Sequence, residues 1–224
     1  MAQDEKLVVP GNPAMDMEAF LRKIRLESFR RLNPIAVKGA ILFAGSSLAE
    51  QFPIHELLNR FEPKYVVYNR GVGGYTTSDL LETMDECIFD LEPSMIFLNI
   101  GSNDIGRPEY REDDLVAVYR RILLSIQERL PRTKIRVLSF YPVHSGLLPE
   151  EVRAMMFAKR TNESIDAVNL RLEGLASELG CTYIDVNTCL RDREGNLDPK
   201  YTVEGIHLYP NAYEVVLDTL VKYF

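Results

Sequence analysis

Short apolar runs alternate with longer amphipathic segments along most of this chain. Five runs of strand length are rich in β-branched and aromatic residues, and they cover residues 40–44, 65–68, 95–100, 135–140 and 182–186. Polar and apolar positions do not alternate within them, which is typical of strands buried on both faces of a sheet. We therefore expect a parallel sheet with helices packed against both of its faces.

Segments with helical periodicity separate these runs. The sequence predicts helices over residues 78–90, 113–130 and 151–179, and a last helix from about Asn211 to the end. A further helix precedes the first strand, where apolar residues recur on one face: Met17, Phe20, Leu21, Ile24 and Phe29. Strands that alternate with helices imply right-handed crossovers. The predicted fold class is therefore α/β, a flavodoxin-like three-layer α/β/α sandwich with a five-stranded parallel sheet.

No internal boundary divides the chain. Its 224 residues are enough to bury roughly 70% of the surface that the unfolded chain would expose. Because no repeat, composition shift or Ser/Gly/Pro-rich linker interrupts them, we interpret residues 1–224 as a single domain. Residues 1–38 form an N-terminal helical extension, packed on or beside the core or against a second subunit. A homodimer is compatible with the sequence, since dimers are the commonest soluble oligomers.

Composition narrows the class of protein. Lys and Arg number 26 against 33 Asp and Glu, a net charge of −7, which argues against a nucleic-acid partner. Three cysteines without a CxxC pair suggest neither a disulfide framework nor a zinc site. Residues 1–13 carry acids where a signal peptide would be basic, and no run approaches ~18 apolar residues. We expect a cytoplasmic protein without an integral membrane segment.

In open parallel sheets, ligands bind beyond the carboxyl ends of the strands, so the residues after each run are the informative ones. The first run is followed by Gly45-Ser46-Ser47-Leu48. A serine at the start of a helix presents its hydroxyl and its N–H at the positive helix end, a favourable place for a nucleophile. Serine is also a common helix N-cap, and this tetrapeptide alone does not separate the two roles.

A glycine-rich loop follows the second run, with the sequence NRGVGGYTT over residues 69–77. Three glycines in four residues let the backbone bring N–H groups close to a ligand. Such a loop suits an oxyanion hole and equally a phosphate cradle. However, the P-loop Lys-Ser/Thr pair is absent and the spacing is not GxGxxG.

Two further segments carry candidate chemistry. Gly101-Ser102-Asn103-Asp104 follows the third run, and the Asn103 amide could donate to a developing negative charge, although asparagine and aspartate also serve as turn caps. Of the histidines His55, His144 and His207, only His207 has a carboxylate three residues upstream, Glu204. That spacing lets the carboxylate orient the imidazole, as in a catalytic triad.

Together the four segments supply a nucleophile, oxyanion donors and a base with its orienting acid, the parts of a serine acyl hydrolase. In this order they resemble the four sequence blocks of the GDSL/SGNH hydrolase superfamily, from about Ala40 to the C-terminus. The resemblance implies catalytic residues Ser47, His207 and Glu204. It also implies an oxyanion hole formed by the N–H groups of Ser47 and Gly74 and by the Asn103 side chain.

Two positions depart from the family pattern. Ser46 replaces the aspartate beside the nucleophile, a helper of local hydrogen bonding, and Glu204 replaces the triad aspartate with a side chain one methylene longer. Glutamate serves as the triad acid in other serine hydrolases. Asp192 and Asp198 are further carboxylates nearby, but neither has the family spacing.

The resemblance implies a serine esterase or lipase that cleaves a carboxylic ester through a covalent acyl-enzyme. The small-molecule substrates that it allows are short acyl or acetyl esters, acetylated sugars, lysophospholipids and thioesters. The sequence as a whole is similar to bacterial acylhydrolases related to the platelet-activating-factor acetylhydrolase group. No metal-ligand cluster such as HExxH is present in the sequence, so we expect a site without metal or cofactor.

Two other functions stay open from the sequence. One is a binding module on the same scaffold, with catalysis lost through the changes at Ser46 and Glu204. The other is a flavodoxin-like nucleotide or phosphate binder that would use the loop at residues 71–77.

Overall fold

A computed structural model describes residues 13–224, and its centre is a sheet of five parallel strands in the order β2-β1-β3-β4-β5. The strands are β1 Ile41–Gly45, β2 Val67–Gly71, β3 Met95–Asn99, β4 Lys134–Leu138 and β5 Thr182–Ile184. Each pair of strands that are neighbours in this order is parallel. The predicted five-stranded parallel sheet is thereby confirmed.

Helices cover both faces of this sheet. They are α1 Pro13–Leu32, α2 Ser47–Glu50, α3 Ile54–Leu58, α4 Thr77–Glu82, α5 Met84–Cys87, α6 Ser102–Ile105, α7 Glu112–Arg129, α8 Glu150–Met156, α9 Asn162–Glu178 and α10 Pro210–Leu220. Short 3-10 turns lie between several of them. No helix among the described residues is both long enough and apolar enough to cross a bilayer.

Alternate residues of each strand feed two separate cores. Leu42 and Leu98 point into the core that contains α7 and α9. Phe43 and Phe97 point into the core that contains α10 on the opposite face, where their rings stack with centroids 4.8 Å apart. Because both faces of the sheet are buried, the three-layer α/β/α sandwich is confirmed. The single-domain interpretation stays a prediction, and residues 1–12 of the expected N-terminal extension lie outside the described residues.

The second strand begins and ends later in the chain than the sequence pattern predicts. It begins at Val67 and continues through Asn69 and Arg70, which the sequence pattern assigned to a loop. Both polar side chains have partners: the Asn69 amide donates to the Ala49 carbonyl at 2.6 Å, and buried Arg70 donates to Asn33 Oδ1 at 3.0 Å. A buried polar group is tolerated where it is hydrogen-bonded, so these residues extend the strand.

Two predicted helices are each divided in the structure. Residues 78–90 form α4 and α5, and the break lies at Thr83, whose hydroxyl donates to the Asp79 carbonyl at 2.8 Å. Such back-bonding by threonine bends helices. Residues 151–179 form α8 and α9. There Thr161 accepts the Ser164 N–H as an N-cap, so a new helix begins.

The face through which the N-terminal helix contacts the rest of the fold shares only part of the predicted apolar stripe. Phe29 is buried and stacks beneath the Arg70 guanidinium, 4.7 Å from ring centroid to Cζ. Met17, Leu21 and Ile24, assigned to the same apolar stripe, are exposed. The stripe was misassigned because arginines of α1 occupy the contact with the core, as described below. The homodimer stays a prediction.

The close approach of β2 to α2 generates a stability prediction. A Cβ on Gly71 would fall on the Glu50 backbone nitrogen, so Gly71→Ala forces backbone to move. We expect the free energy of unfolding to fall by about 1–3 kcal/mol. Gly174→Ala is the matched control, since Gly174 is exposed inside α9 with open space at its Cβ position, and it should raise the free energy of unfolding by roughly 0.5–1 kcal/mol.

Urea unfolding of the two variants and the wild type measures both effects through the midpoint at constant slope. If Gly71→Ala unfolds at the wild-type midpoint, the contact between β2 and α2 is looser than described.

Candidate active site

Three of the sequence-predicted site residues meet at the carboxyl edge of the sheet. The Ser47 hydroxyl lies 3.0 Å from His207 Nε2 across 160 residues of sequence. The other ring nitrogen, Nδ1, is hydrogen-bonded to Glu204 Oε1, which also accepts the His207 backbone N–H at 3.2 Å. The imidazole side chain is 33% exposed and the Glu204 side chain 20% exposed. The order hydroxyl, imidazole, carboxylate is that of a catalytic triad.

A closed turn brings Glu204 back onto the imidazole. The Thr202 hydroxyl accepts the Gly205 N–H and donates to the His207 carbonyl, each at 2.8 Å. The Val203 N–H also donates to the His207 carbonyl, at 2.9 Å. These bonds fix the residues between Thr202 and His207, so the extra methylene of Glu204 fits inside a tight turn.

The two alternative carboxylates bond elsewhere. Asp192 accepts the backbone N–H groups of Glu194 and Asn196. Asp198 accepts the Lys200 N–H and pairs with the Lys200 ammonium at 2.8 Å, and this pairing lowers the pKa of Asp198. Neither carboxylate is therefore placed on His207.

Ser47 is the first residue of α2, so its N–H is one of the helix-terminal donors that no helix carbonyl can satisfy. Ser46 precedes it in extended conformation as the N-cap but makes no side-chain capping bond. Its hydroxyl is buried and has no hydrogen-bond partner among the described residues. Neither serine side chain therefore caps the helix, which was the alternative to a role as nucleophile. The Ser46 hydroxyl also does not replace the hydrogen bonds of the family aspartate.

The glycine-rich loop after β2 commits almost all of its donors to the protein. The N–H of Val72 donates to the Gly45 carbonyl at 3.0 Å, and that of Gly73 donates to Glu50 Oε2 at 2.6 Å. The remaining donors with protein acceptors are the N–H groups of Gly71, Tyr75, Thr76 and Thr77. Within the described part of the chain, Gly74 alone in this loop has an N–H without an acceptor.

That arrangement favours an oxyanion contact over a phosphate cradle. A phosphate cradle needs several converging N–H groups, whereas this loop leaves one. Carboxylates also occupy the loop's donors, including Asp104, which accepts both the N–H and the hydroxyl of Thr77. Burial raises the pKa of Asp104, and these Thr77 bonds lower it. The loop is therefore suited to a single oxyanion contact.

The Asn103 side chain lies beside this loop in a fixed orientation. Its Nδ2 donates to the Tyr75 carbonyl at 3.0 Å, and its Oδ1 accepts from Arg160 Nη2 at 3.3 Å. Because the amide nitrogen carries two hydrogens, one N–H stays available to a ligand. The amide cannot flip without losing both bonds.

Arg160 is a site residue that the sequence pattern missed. It lies between α8 and α9, and its Nε donates to the Ser102 carbonyl at 3.0 Å. Burial lowers its pKa, and the charge of Glu204 raises it, but an arginine stays a cation at neutral pH. The sequence pattern places Arg160 inside one continuous helix, and the local signal that could have revealed the break is Thr161, a residue type common at helix N-caps.

The other histidines do not join the site. His55 Nε2 is hydrogen-bonded to the Val67 carbonyl at 2.9 Å, and the His144 backbone N–H donates to the Gly205 carbonyl at 2.9 Å. Among the described residues, no group of three or more His, Cys, Asp or Glu side chains is placed to hold a metal ion.

Comparison with known proteins places the chain among acylhydrolases. The sequence profile described as the GDSL-like Lipase/Acylhydrolase family matches residues 43–215. The structure of a proposed platelet activating factor from Streptococcus pneumonia superposes with a TM-score of 0.83 at 32% identity, covering 95% of this chain and 99% of that one. A GDSL-like lipase from Bacteroides thetaiotaomicron has the same fold, with a TM-score of 0.73 at 18% identity and coverage of 88% and 96%.

Two curated relatives match at lower identity. An Arabidopsis thaliana GDSL esterase/lipase is 26% identical over 205 residues, covering 82% of this chain and 84% of that protein. An Escherichia coli N-acylneuraminate cytidylyltransferase is 24% identical over 174 residues, or 75% of this chain. The matched region spans only 38% of the length of that cytidylyltransferase.

The contact between Arg160 and Asn103 generates a kinetic prediction. Arg160→Leu removes the donor that holds the Asn103 amide, so we expect kcat for p-nitrophenyl acetate to fall by up to about 10²-fold, the cost of a misplaced site group. Arg153→Leu is the control, because that arginine of α8 pairs with Glu150 at the surface. Steady-state kinetics should separate the two variants, and equal kcat values would contradict a role for Arg160 at the site.

Proposed function

Because the chain belongs to the GDSL-like lipase/acylhydrolase family and is an ester-bond hydrolase, we propose that it cleaves a short-acyl carboxylic ester through a covalent acyl-enzyme on Ser47. The observation that carries this proposal is the 3.0 Å hydrogen bond between Ser47 and His207, whose other ring nitrogen bonds Glu204. A hydroxyl is a weak nucleophile at neutral pH, and an adjacent base is what activates it.

In the first step, Ser47 Oγ attacks the carbonyl carbon of the ester while His207 Nε2 accepts its proton. Glu204 accepts the Nδ1–H hydrogen bond, which keeps Nε2 unprotonated before attack and stabilises the imidazolium that forms. The base and the nucleophile need no rearrangement, since they are already within hydrogen-bond distance.

The carbonyl oxygen becomes an oxyanion in the tetrahedral intermediate. Its donors are the N–H of Ser47 at the start of α2, the N–H of Gly74 and the free N–H of the Asn103 amide. Preorganised donors of this kind are each worth roughly 3–4 kcal/mol of barrier, or about 10²–10³ in rate.

Collapse of the intermediate breaks the bond to the alcohol, and His207 returns its proton to the leaving oxygen. Water then attacks the acyl-enzyme with His207 again as the base, and the acid is released. Every proton transferred in this cycle passes through the His207 imidazole. Because this side chain is partly exposed, water can reach the acyl-enzyme beside it.

The side chains that hydrogen bonding links to Ser47 and Asn103 are polar or charged, namely His207, Glu204 and Arg160, and these favour a small acyl group. A long alkyl chain laid against His207, Glu204 and Arg160 would strip water from polar groups without replacing their hydrogen bonds, which costs free energy. The esters to test include platelet activating factor itself, after which the Streptococcus pneumonia relative is named.

A fluorophosphonate probe tests the nucleophile. The phosphonyl group reacts with an activated serine, so we expect the wild type to be labelled and Ser47→Ala to be neither labelled nor active on p-nitrophenyl acetate. Ser46→Ala is the matched control, because its hydroxyl has no partner among the described residues, and it should keep both labelling and activity. A folded wild type that resists the probe would favour the binding module, and labelling that persists in Ser47→Ala would remove Ser47 from the mechanism.

An acyl-chain series tests the substrate class. On p-nitrophenyl acetate, butyrate, octanoate and palmitate, kcat/KM should fall by about 10-fold or more between acetate and octanoate, within the range by which pocket fit discriminates chains. An acetylated sugar, an acetyl thioester, a lysophospholipid and platelet activating factor run in parallel, with Ser47→Ala as the background. A kcat/KM that rises towards palmitate would overturn the short-acyl proposal and leave the mechanism intact.

A further inference from the structure

The N-terminal helix α1 is hydrogen-bonded to the loop that carries Gly74. Arg22 of α1 donates from Nε to the Gly73 carbonyl at 3.1 Å and from Nη2 to the Gly74 carbonyl at 2.9 Å. One guanidinium therefore binds two consecutive carbonyls across more than 50 residues of sequence. The fork of an arginine is suited to such a paired contact, because its donors are fixed in one plane.

The direction of this contact matters for the oxyanion donor. The Gly73 carbonyl and the Gly74 N–H belong to the same planar trans peptide, in which the two groups point in opposite directions. By fixing the carbonyl against α1, Arg22 fixes the N–H on the side away from α1. That N–H is the donor of the loop that is left without an acceptor in the described part of the chain.

Arg22 also fills the space beside Gly74. Gly74 has φ +70°, in the left-handed region, and a Cβ there would fall on the Arg22 guanidinium and the Glu18 carboxylate. Glu18 accepts from Arg22 Nη2 at 2.5 Å, so the guanidinium is itself oriented from one helical turn away. The Arg22 side chain is only 26% exposed, so water has limited access to compete for its hydrogen bonds with the loop carbonyls.

A second arginine holds the other end of the loop. Arg25 Nε donates to the Gly71 carbonyl at 3.3 Å and lies 3.4 Å from the Glu50 carboxylate. Glu50 in turn accepts the Gly73 N–H at 2.6 Å. The peptides on both sides of Gly73 are thus restrained, and within the described chain the Gly74 N–H is the one donor of this loop that the network leaves without an acceptor.

We propose that Arg22 is a positioning residue for the reaction, through which α1 holds the oxyanion peptide in its productive orientation. The inference rests on the function proposed above. It assigns to the N-terminal helix, outside the 43–215 region matched by the family profile, a part in the rate of the chemical step. The guanidinium also polarises the Gly73–Gly74 peptide, which strengthens its N–H as a donor.

The test compares Arg22→Met and Arg22→Lys with Arg31→Met. Arg31 lies on the same helix, is exposed and, among the described residues, pairs only with Glu27 four residues earlier, at 2.9 Å. Its substitution therefore removes one surface ion pair of α1 and serves as the matched control. For Arg22→Met we expect kcat on p-nitrophenyl acetate to fall by about 10-fold with little change in KM, less than the ~10²–10³ expected for deletion of a donor. Arg22→Lys, with one compact donor group, should lie between Arg22→Met and the wild type.

A trifluoromethyl ketone supplies the readout that a purely structural role would not move. Ser47 Oγ adds to its carbonyl carbon, the proton passes to His207, and the carbonyl oxygen becomes a stable oxyanion. Its inhibition constant should therefore rise in Arg22→Met by the same factor as kcat falls. Active-site titration with the fluorophosphonate should stay complete, because the fold and the nucleophile are intact.

The possible failures are distinguishable. If kcat and the inhibition constant of Arg22→Met equal those of Arg31→Met, Arg22 does not position the donor and the inference is wrong. If kcat falls only in proportion to a reduced titre of active sites, Arg22 acts through folding alone, which also overturns it. If the wild type neither hydrolyses the ester nor reacts with the fluorophosphonate, the proposed function fails before this question arises.

Discussion

The structure depends on three parallel strands that end level with one another. In the register of the sheet, Gly45 at the end of β1 pairs with Gly71 of β2 on one side and with Asn99 of β3 on the other. The loops that carry Ser47, Gly74 and Asn103 therefore start from the same edge within a few ångströms. A hydrogen bond from Tyr213 Oη to the Leu48 carbonyl, at 2.8 Å, connects α10 to α2, and the preceding His207 lies within hydrogen-bond distance of Ser47.

Hydrogen bonding within the loop after β2 limits the kind of anion that this loop can bind. Buried N–H groups must find acceptors, and in the loop after β2 they find carbonyls and carboxylates of the protein. Glu50, Asp79 and Asp104 each take one or more of these donors. An anion as highly charged as a phosphate would meet three carboxylates here, whereas an oxyanion that forms transiently needs only one or two well-aimed donors. This distinction cannot be made from the spacing of glycines.

The parts of the molecule that follow local rules were predictable from sequence. Buried strands appear as short apolar runs, and in a parallel sheet their ends must meet at one edge, which is why Ser47, Asn103 and His207 could be assigned to one site. The extension of β2 through Asn69 and Arg70 was not predictable, because these polar residues are satisfied by Ala49 and Asn33, distant in sequence. Arg22 and Arg160 were missed for the same reason, since each acts on backbone or amide groups more than 50 residues away.

Glu204, the proposed triad acid, shows how the backbone can accommodate a departure from the family pattern. A glutamate in place of an aspartate carries its carboxylate one methylene further, so the backbone must approach or turn differently to keep the same contact with Nδ1. Here the turn is closed by Thr202, whose hydroxyl bridges the Gly205 N–H and the His207 carbonyl, and Glu204 Oε1 bonds both the ring and the backbone N–H of His207. The carboxylate thus orients the imidazole and caps the turn at once. Because one carboxylate oxygen bonds both the imidazole and the backbone N–H of His207, the longer Glu204 side chain is fixed by the turn itself. The conformational freedom of the extra methylene is therefore lost on folding, before substrate binds.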